Sequence, residues 1–250
     1  MIQPYASRTG TQVNLDLLRR YGWGLLISAS GVLRDEGFDL IAIDNGAWSA
    51  FCKGIPWDES RFLLALEMFG NRAQFVVTPD KVAGGLDSLR LSESWLPRLA
   101  QYKLQLIPVQ DGMTIADVRP LLSSRVGIFV GGTTEWKLAT MRQWGALARE
   151  TGCYIHVGRV NSAKRIRLCQ DAGVHSFDGT SASVYSVTTR PLDMARRQQS
   201  LWSHLCPQSS SVSQEAPTPS FAPKLHAPEP ITVSQQASFW TMDSQPRSRS

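Results

Sequence analysis

"LIAIDNG", residues 40–46, is followed by "WDESRFLLALEMFG", residues 57–70. The first stretch opens on four apolar residues and stops at an acid, an amide and a glycine. It is short and β-rich, as a strand buried on both faces is. The second begins with Asp58 as a candidate N-cap and repeats apolar residues at Phe62, Leu63, Leu66 and Phe69. That is the spacing of one helical face. A buried strand followed by an amphipathic helix is the unit of a parallel α/β fold.

The same unit recurs on either side. "IQPYAS" (2–7) precedes "QVNLDLLRRYG" (12–22), and "WGLLISAS" (23–30) precedes the short "GVLRDEG" (31–37). "QFVVTPD" (74–80) precedes "LDSLRLSESWLPRLAQY" (86–102), and "LQLIPVQDG" (104–112) precedes "TIADVRPLLS" (114–123). "VGIFVGG" (126–132) leads to "TEWKLATMRQWGALARETG" (134–152), and "YIHVGRV" (154–160) leads to "SAKRIRLCQDAG" (162–173). "VHSFDGTS" (174–181) precedes "PLDMARRQQSLW" (191–202). Eight consecutive units predict a closed (β/α)8 TIM-like barrel over residues 1–206, trimmed relative to the common size of about 250 residues. An open doubly wound sheet is the alternative. It calls for a glycine-rich phosphate loop after an early strand, and no GxGxxG is present.

Composition changes at Pro207. Residues 207–250 are rich in Pro, Ser and Gln and have no helical or strand period, which predicts a disordered tail. "ASFWTM" within it reads as a tail with a few aromatics or as a short docking motif. The 250-residue chain carries a formal charge of +5. The tail is neutral: Lys224, Arg247 and Arg249 balance Glu215, Glu229 and Asp243. The positive excess therefore belongs to the barrel region, which favours a phosphate-bearing partner. Cys52, Cys153, Cys169 and Cys206 form no CxxC or CxC pair, so neither a thiolate zinc site nor a disulfide framework is expected. No apolar run approaches the roughly 18 residues of a membrane span, and "MIQPYASRTG" has no signal core. These features predict a cytoplasmic protein without membrane contact, metal or cofactor.

In a barrel the reacting groups sit at the C-terminal ends of the strands. Here those ends are polar: Asp44-Asn45-Gly46, Thr78-Pro79-Asp80, Gln110-Asp111-Gly112, Gly131-Gly132-Thr133-Thr134, Gly158-Arg159 and Asp178-Gly179-Thr180. Asp44 and Asp178 directly follow apolar stretches, which is unusual for a simple turn former. Asp111, in "QDGMT", reads as a turn or cap residue. Ser162 reads as the cap of a helix whose first turns carry Lys164, Arg165 and Arg167, beside Arg159. Together these four are the candidate phosphate contacts. His156 reads as a core or mouth histidine rather than a metal ligand, and His175 as a further mouth candidate. Trp48 and Trp136 are the tryptophans best placed to stack on a base.

Five of these segments, in order, resemble the tRNA-guanine transglycosylase superfamily, in particular its phage and bacterial branch that places deazaguanines into DNA. "AIDNGAW" resembles the segment carrying the general acid–base, at Asp44. "VVTPD" and "IPVQDG" resemble the strands that read the base, through Asp80 and Gln110. "IFVGG" resembles the strand lining the base pocket, with Gly131 and Gly132. "GVHSFDGTS" resembles the strand ending in the nucleophilic aspartate, at Asp178. The resemblance covers most of residues 1–190. It implies exchange of guanine for a 7-deazaguanine such as 7-cyano-7-deazaguanine, through a covalent sugar–aspartate intermediate. Gly179, Thr180 and Ser181 would then donate hydrogen bonds that keep Asp178 ionised.

The tRNA enzymes carry a cysteine-and-histidine zinc subdomain and a fuller "DSGGFQ" segment; neither is present here. That favours DNA over tRNA as the polymer, with a helper protein as an open partner. Three alternatives remain at this level: a tRNA-type enzyme on RNA, a non-catalytic nucleic-acid-binding barrel subunit, and a phosphosugar isomerase or aldolase. The last commonly needs a Schiff-base lysine or a strand-end glutamate, and no strand-like run ends in either.

Overall fold

The computed structural model describes residues 1–8 and 11–198. The expected tail and its "ASFWTM" motif lie outside the described residues. Eight parallel strands close into a barrel in sequence order. They are β1 (Gln3–Ser7), β2 (Gly24–Ser28), β3 (Ile41–Asp44), β4 (Val76–Val77), β5 (Gln105–Val109), β6 (Val126–Val130), β7 (Ile155–Val157) and β8 (Ser176–Gly179). Closure comes from β1 against β8, where Tyr5 pairs with Asp178. The chain is a (β/α)8 barrel.

The helices form the outer layer. They are α1 (Gln12–Arg20), α2 (Ala47–Lys53), α3 (Glu59–Phe69), α4 (Leu86–Leu99), α5 (Ile115–Val118), α6 (Thr134–Thr151), α7 (Ala163–Asp171), α8 (Ser181–Val184) and α9 (Ser186–Arg197). Their starts follow local chemistry. Asp58 accepts from the Arg61 N–H at 3.0 Å to begin α3, and Ser162 accepts from the Arg165 N–H at 3.3 Å to begin α7. Thr114 and Asp117 form a reciprocal capping box on α5.

One expected helix is missing. "GVLRDEG" forms no helix between β2 and β3. The segment is too short to repay helix nucleation, and its charged residues have other partners. Glu36 receives Arg8 Nε at 2.6 Å, Asp35 pairs with Arg72 at 2.5 Å, and the Gly37 N–H bonds Asp35 Oδ1 at 2.9 Å.

Side chains alternate across each strand. Ile27, Ile43, Val76, Ile107, Ile128, Val157 and Phe177 pack outward in one core with the helices. Tyr5, Leu26, Ala42, Phe75, Val77 and Leu106 pack in a second cluster, together with Leu104, Phe129 and Tyr154. These fill the barrel interior. The taper is tight: a Cβ on Gly24 would come within 2.5 Å of the Tyr5 ring. The alternation fixes where the polar residues go. Asp44 is in phase with Ala42, Gln110 with Leu106, Gly131 with Phe129, His156 with Tyr154, and Asp178 with Ser176. All of them belong to the inner face.

Candidate active site

Asp44 ends β3 half-buried, with its Oδ2 accepting the Gly46 N–H at 3.1 Å. Gly46 turns with φ +81°, and a Cβ there would lie 2.7 Å from the Ser30 nitrogen, so glycine is required for the turn. Ser28, paired with Asp44 at the end of β2, pulls its carboxyl down. Burial, followed by the charge of Asp178, nevertheless lifts the Asp44 carboxyl to about 6. Two acids 134 positions apart in the sequence thus act on each other within one barrel mouth.

Asp80 reaches the same mouth from the loop after β4. Asn45 Nδ2 donates to Asp80 Oδ1 at 2.8 Å and to the Thr78 carbonyl at 2.6 Å. Asn45 Oδ1 in turn accepts the Ala47 N–H at 2.7 Å, so the amide is held in one orientation. Burial is the main force raising Asp80 to about 7; the Asn45 bond opposes it and the Asp44 charge adds to it. Gln110 is buried above β5, with Nε2 on the Lys81 carbonyl at 2.8 Å.

Asp178 is 5% exposed at the end of β8. His156 Nε2 lies 3.0 Å from its Oδ1, and the Arg159 N–H reaches Oδ2 at 3.3 Å. Here the expected donors are replaced. The Ser181 N–H and the Thr180 hydroxyl turn to Asn161 Oδ1, at 3.1 and 3.5 Å, and Gly179 continues the strand opposite Ala6. The reason is geometric: residues after the acid must leave the barrel along the β7–α7 loop, whereas His156 and Arg159 flank the carboxylate from the neighbouring strand.

Arg159 bends back over the mouth. Its φ of +60° is a conformation few non-glycine residues adopt. Its Nη2 donates to the Gly132 carbonyl at 2.7 Å, and its guanidinium lies 4.5 Å from the Trp48 ring centroid. Burial lowers its pKa to about 10 against the pull of Asp178 and more distant acids, so it stays cationic at neutral pH. Arg159 pulls Asp44 and Asp80 down, but burial first and the neighbouring carboxylate second outweigh it, so both acids are raised.

Gly132 (φ +70°) brings the β6–α6 loop against β5: a Cβ would fall 2.6 Å from Asp111 Oδ2, 2.8 Å from Trp136 and 3.2 Å from the Gln110 Cα. Gly131 keeps its N–H on the Val109 carbonyl at 2.9 Å. Asp111 is structural, accepting the Thr133 N–H at 2.7 Å and its hydroxyl at 2.6 Å. It ties two loops of the rim together.

Not every candidate reaches the mouth. His175 precedes β8 and sits at the opposite end of the barrel, stacked on Tyr154 at 4.9 Å, with Nδ1 accepting the Ile155 N–H. Trp136 packs between the Gly132 turn and Trp144 of the helix layer, while Trp48 lies at the rim beneath Arg159. Lys164 and Arg167 are exposed on α7, while Arg165 is half-buried and borders a small cavity with Arg159, Thr134 and Lys137.

Reading by residue type placed Asn45 at the mouth without a role, and missed Ser28, the His156–Asp178 contact and Lys137. Lys137 lies buried on α6 with Nζ on the Gly158 carbonyl, and burial with Arg159 nearby brings it down to about 7. For Ser28 and His156 the signal was present: both share the inward phase of their strands. Among the described residues no cluster of three metal-ligating side chains occurs, and no helix is long and apolar enough to cross a membrane. No protein-family model and no curated protein matches the chain.

Proposed function

We propose that this mouth exchanges a base in nucleic acid, replacing guanine with a 7-deazaguanine, and that the polymer is DNA. The observation that carries the reading is the pair Asp44 and Asp178. They stand on inner positions of β3 and β8, close enough that the charge of one helps hold the proton on the other. An anionic oxygen beside a proton-bearing acid is what displacement at a glycosidic carbon requires.

In this reading Asp178 attacks the anomeric carbon as the carbon–nitrogen bond breaks. The bonding pair leaves with guanine, and Asp44 gives that base its proton. The sugar is then held as an ester of Asp178. Asp44, now a carboxylate, takes a proton from the incoming deazaguanine as its ring nitrogen displaces the ester. Two inversions restore the original configuration. Asp80, near neutrality at about 7, can donate as well as accept. With Gln110 it suits the polar edge that guanine and a deazaguanine share. The target nucleotide must leave the duplex or arrive single-stranded. Arg159 and Trp48 offer a flat cationic wall at the rim, and Lys164, Arg165 and Arg167 are candidates for the backbone phosphates.

The test is incubation with DNA and a labelled deazaguanine, digestion to nucleosides, and a parallel reaction on tRNA. The reading expects label in deoxynucleoside from the wild type and none from folded Asp178→Ala. Equal label from both proteins would favour a non-catalytic barrel, and label in tRNA alone would reassign the polymer.

A further inference from the structure

The barrel interior is lined by rings and aliphatic chains, so each polar group inside it costs free energy unless bonded. His156 is 0% exposed and uses both ring nitrogens: Nδ1 lies 2.7 Å from Ser176 Oγ, and Nε2 lies 3.0 Å from Asp178 Oδ1. Ser176 is also 0% exposed, and its hydroxyl is the partner of Nδ1. Resting on the transglycosylase reading, we infer that His156 is the positioning residue of the nucleophile. It is the centre of a buried chain running Ser176–His156–Asp178.

The direction of the chain follows from what each group can do. An ionised carboxylate only accepts, so Nε2 carries the hydrogen. In a neutral imidazole Nδ1 then accepts from the Ser176 hydroxyl. With Asp178 as the carboxylate nucleophile and the ring neutral, both ring nitrogens are satisfied in this sense. The ring is also held in place. Phe129 stacks on it at 4.9 Å with planes 25° apart, and Phe75 lies 5.0 Å away. Gly158 adds to the crowding, since a Cβ there would come within 2.9 Å of the Phe129 ring.

The consequence is a division of labour between the two oxygens of Asp178. Oδ1 is committed to His156. Among the described residues Oδ2 receives the long contact from the Arg159 N–H, and it is the oxygen that attacks. As Oδ2 bonds the anomeric carbon and the base departs with the bonding pair, Oδ1 becomes the ester carbonyl oxygen. It still accepts the same Nε2–H. No proton moves along the chain, and no group must reorient between carboxylate and ester, which is the advantage of a preorganised donor.

The test uses single-turnover transfer of labelled single-stranded DNA to the protein, with nitrogen-15 NMR of the wild-type histidines. His156→Phe keeps the stacked ring and deletes both nitrogens; His156→Gln keeps an N–H near the position of Nε2. The expected result is a rate of ester formation about 10- to 100-fold lower in His156→Phe, the effect of losing one hydrogen bond to a charged group. KM for DNA stays unchanged and most of the rate returns in His156→Gln. His156 is expected to be protonated at Nε2 and unprotonated at Nδ1. A folded His156→Phe as fast as the wild type, a defect confined to KM, a glutamine variant no better than phenylalanine, or the opposite tautomer would each overturn the inference. If His156→Phe does not fold, the glutamine variant and the tautomer decide. A wild type that transfers no DNA would instead count against the transglycosylase reading itself.

Discussion

At the scale of the residue, the unusual groups are the acids that keep their protons. Asp44 and Asp80 are raised chiefly by burial, and then Asp44 by the charge of Asp178 and Asp80 by the charge of Asp44. The sign of the linkage follows. Between the ordinary value of 3.8 and about 7, folded Asp80 holds a proton that the unfolded chain has released. Stability is therefore fully present below 3.8 and declines as pH rises through 7. Asp80→Asn keeps the acceptor for Asn45 and cannot ionise. Its stability relative to the wild type, measured by urea unfolding, should improve between pH 4.5 and pH 8 by on the order of 2 kcal/mol. An offset that is the same at both pH values would mean Asp80 ionises freely.

At the scale of the element, the rim depends on a tight turn that has no room for a side chain at Gly132. Gly132 combines φ +70° with contacts to Asp111, Trp136 and Gln110 that leave no room for a methyl group. Gly132→Ala should cost about 1–3 kcal/mol by thermal or urea unfolding, from the strained conformation and the displaced loop. It should also weaken base binding, because Gln110 moves with the loop. A variant of wild-type stability would show that the rim yields more easily than its packing implies.

This is also the scale at which the sequence is most and least legible. The run from Leu40 to Gly46 announced a buried strand ending in a polar turn, and Asp58 and Ser162 announced the helices that they cap. "GVLRDEG" looked like a short helix because hydrophobic spacing does not register the ion pairs of Asp35 and Glu36, whose partners are distant in sequence. The same limit hid the His156–Asp178 contact. Its two residues lie on adjacent strands, and only barrel register brings them together. His175 shows the converse: nearness to Asp178 in sequence put it at the wrong end of the strand.

At the scale of the molecule, a closed barrel gathers the ends of eight strands into one rim, and the described part of the chain carries basic side chains beside it on α7. If Lys164 and Arg167 contact backbone phosphates, affinity for DNA should fall steeply with salt, as counterion release requires. Replacing both with alanine should flatten the logarithmic slope by about 2, one unit for each lost contact. Binding titrations at several salt concentrations read this directly. A slope unchanged in the double variant would move the phosphate path elsewhere on the rim.

The central claim is that Asp178 becomes bonded to the sugar while Asp44 protonates the departing base. Its most direct measurement is mass spectrometry of the peptide spanning 173–181 after the protein is mixed with guanine-containing DNA and quenched with denaturant. The account predicts a deoxyribose-linked adduct on Asp178, one free guanine for each adduct formed, and no adduct in Asp44→Asn or Asp178→Ala. No adduct in the active wild type, or an adduct that persists in Asp178→Ala, would contradict it.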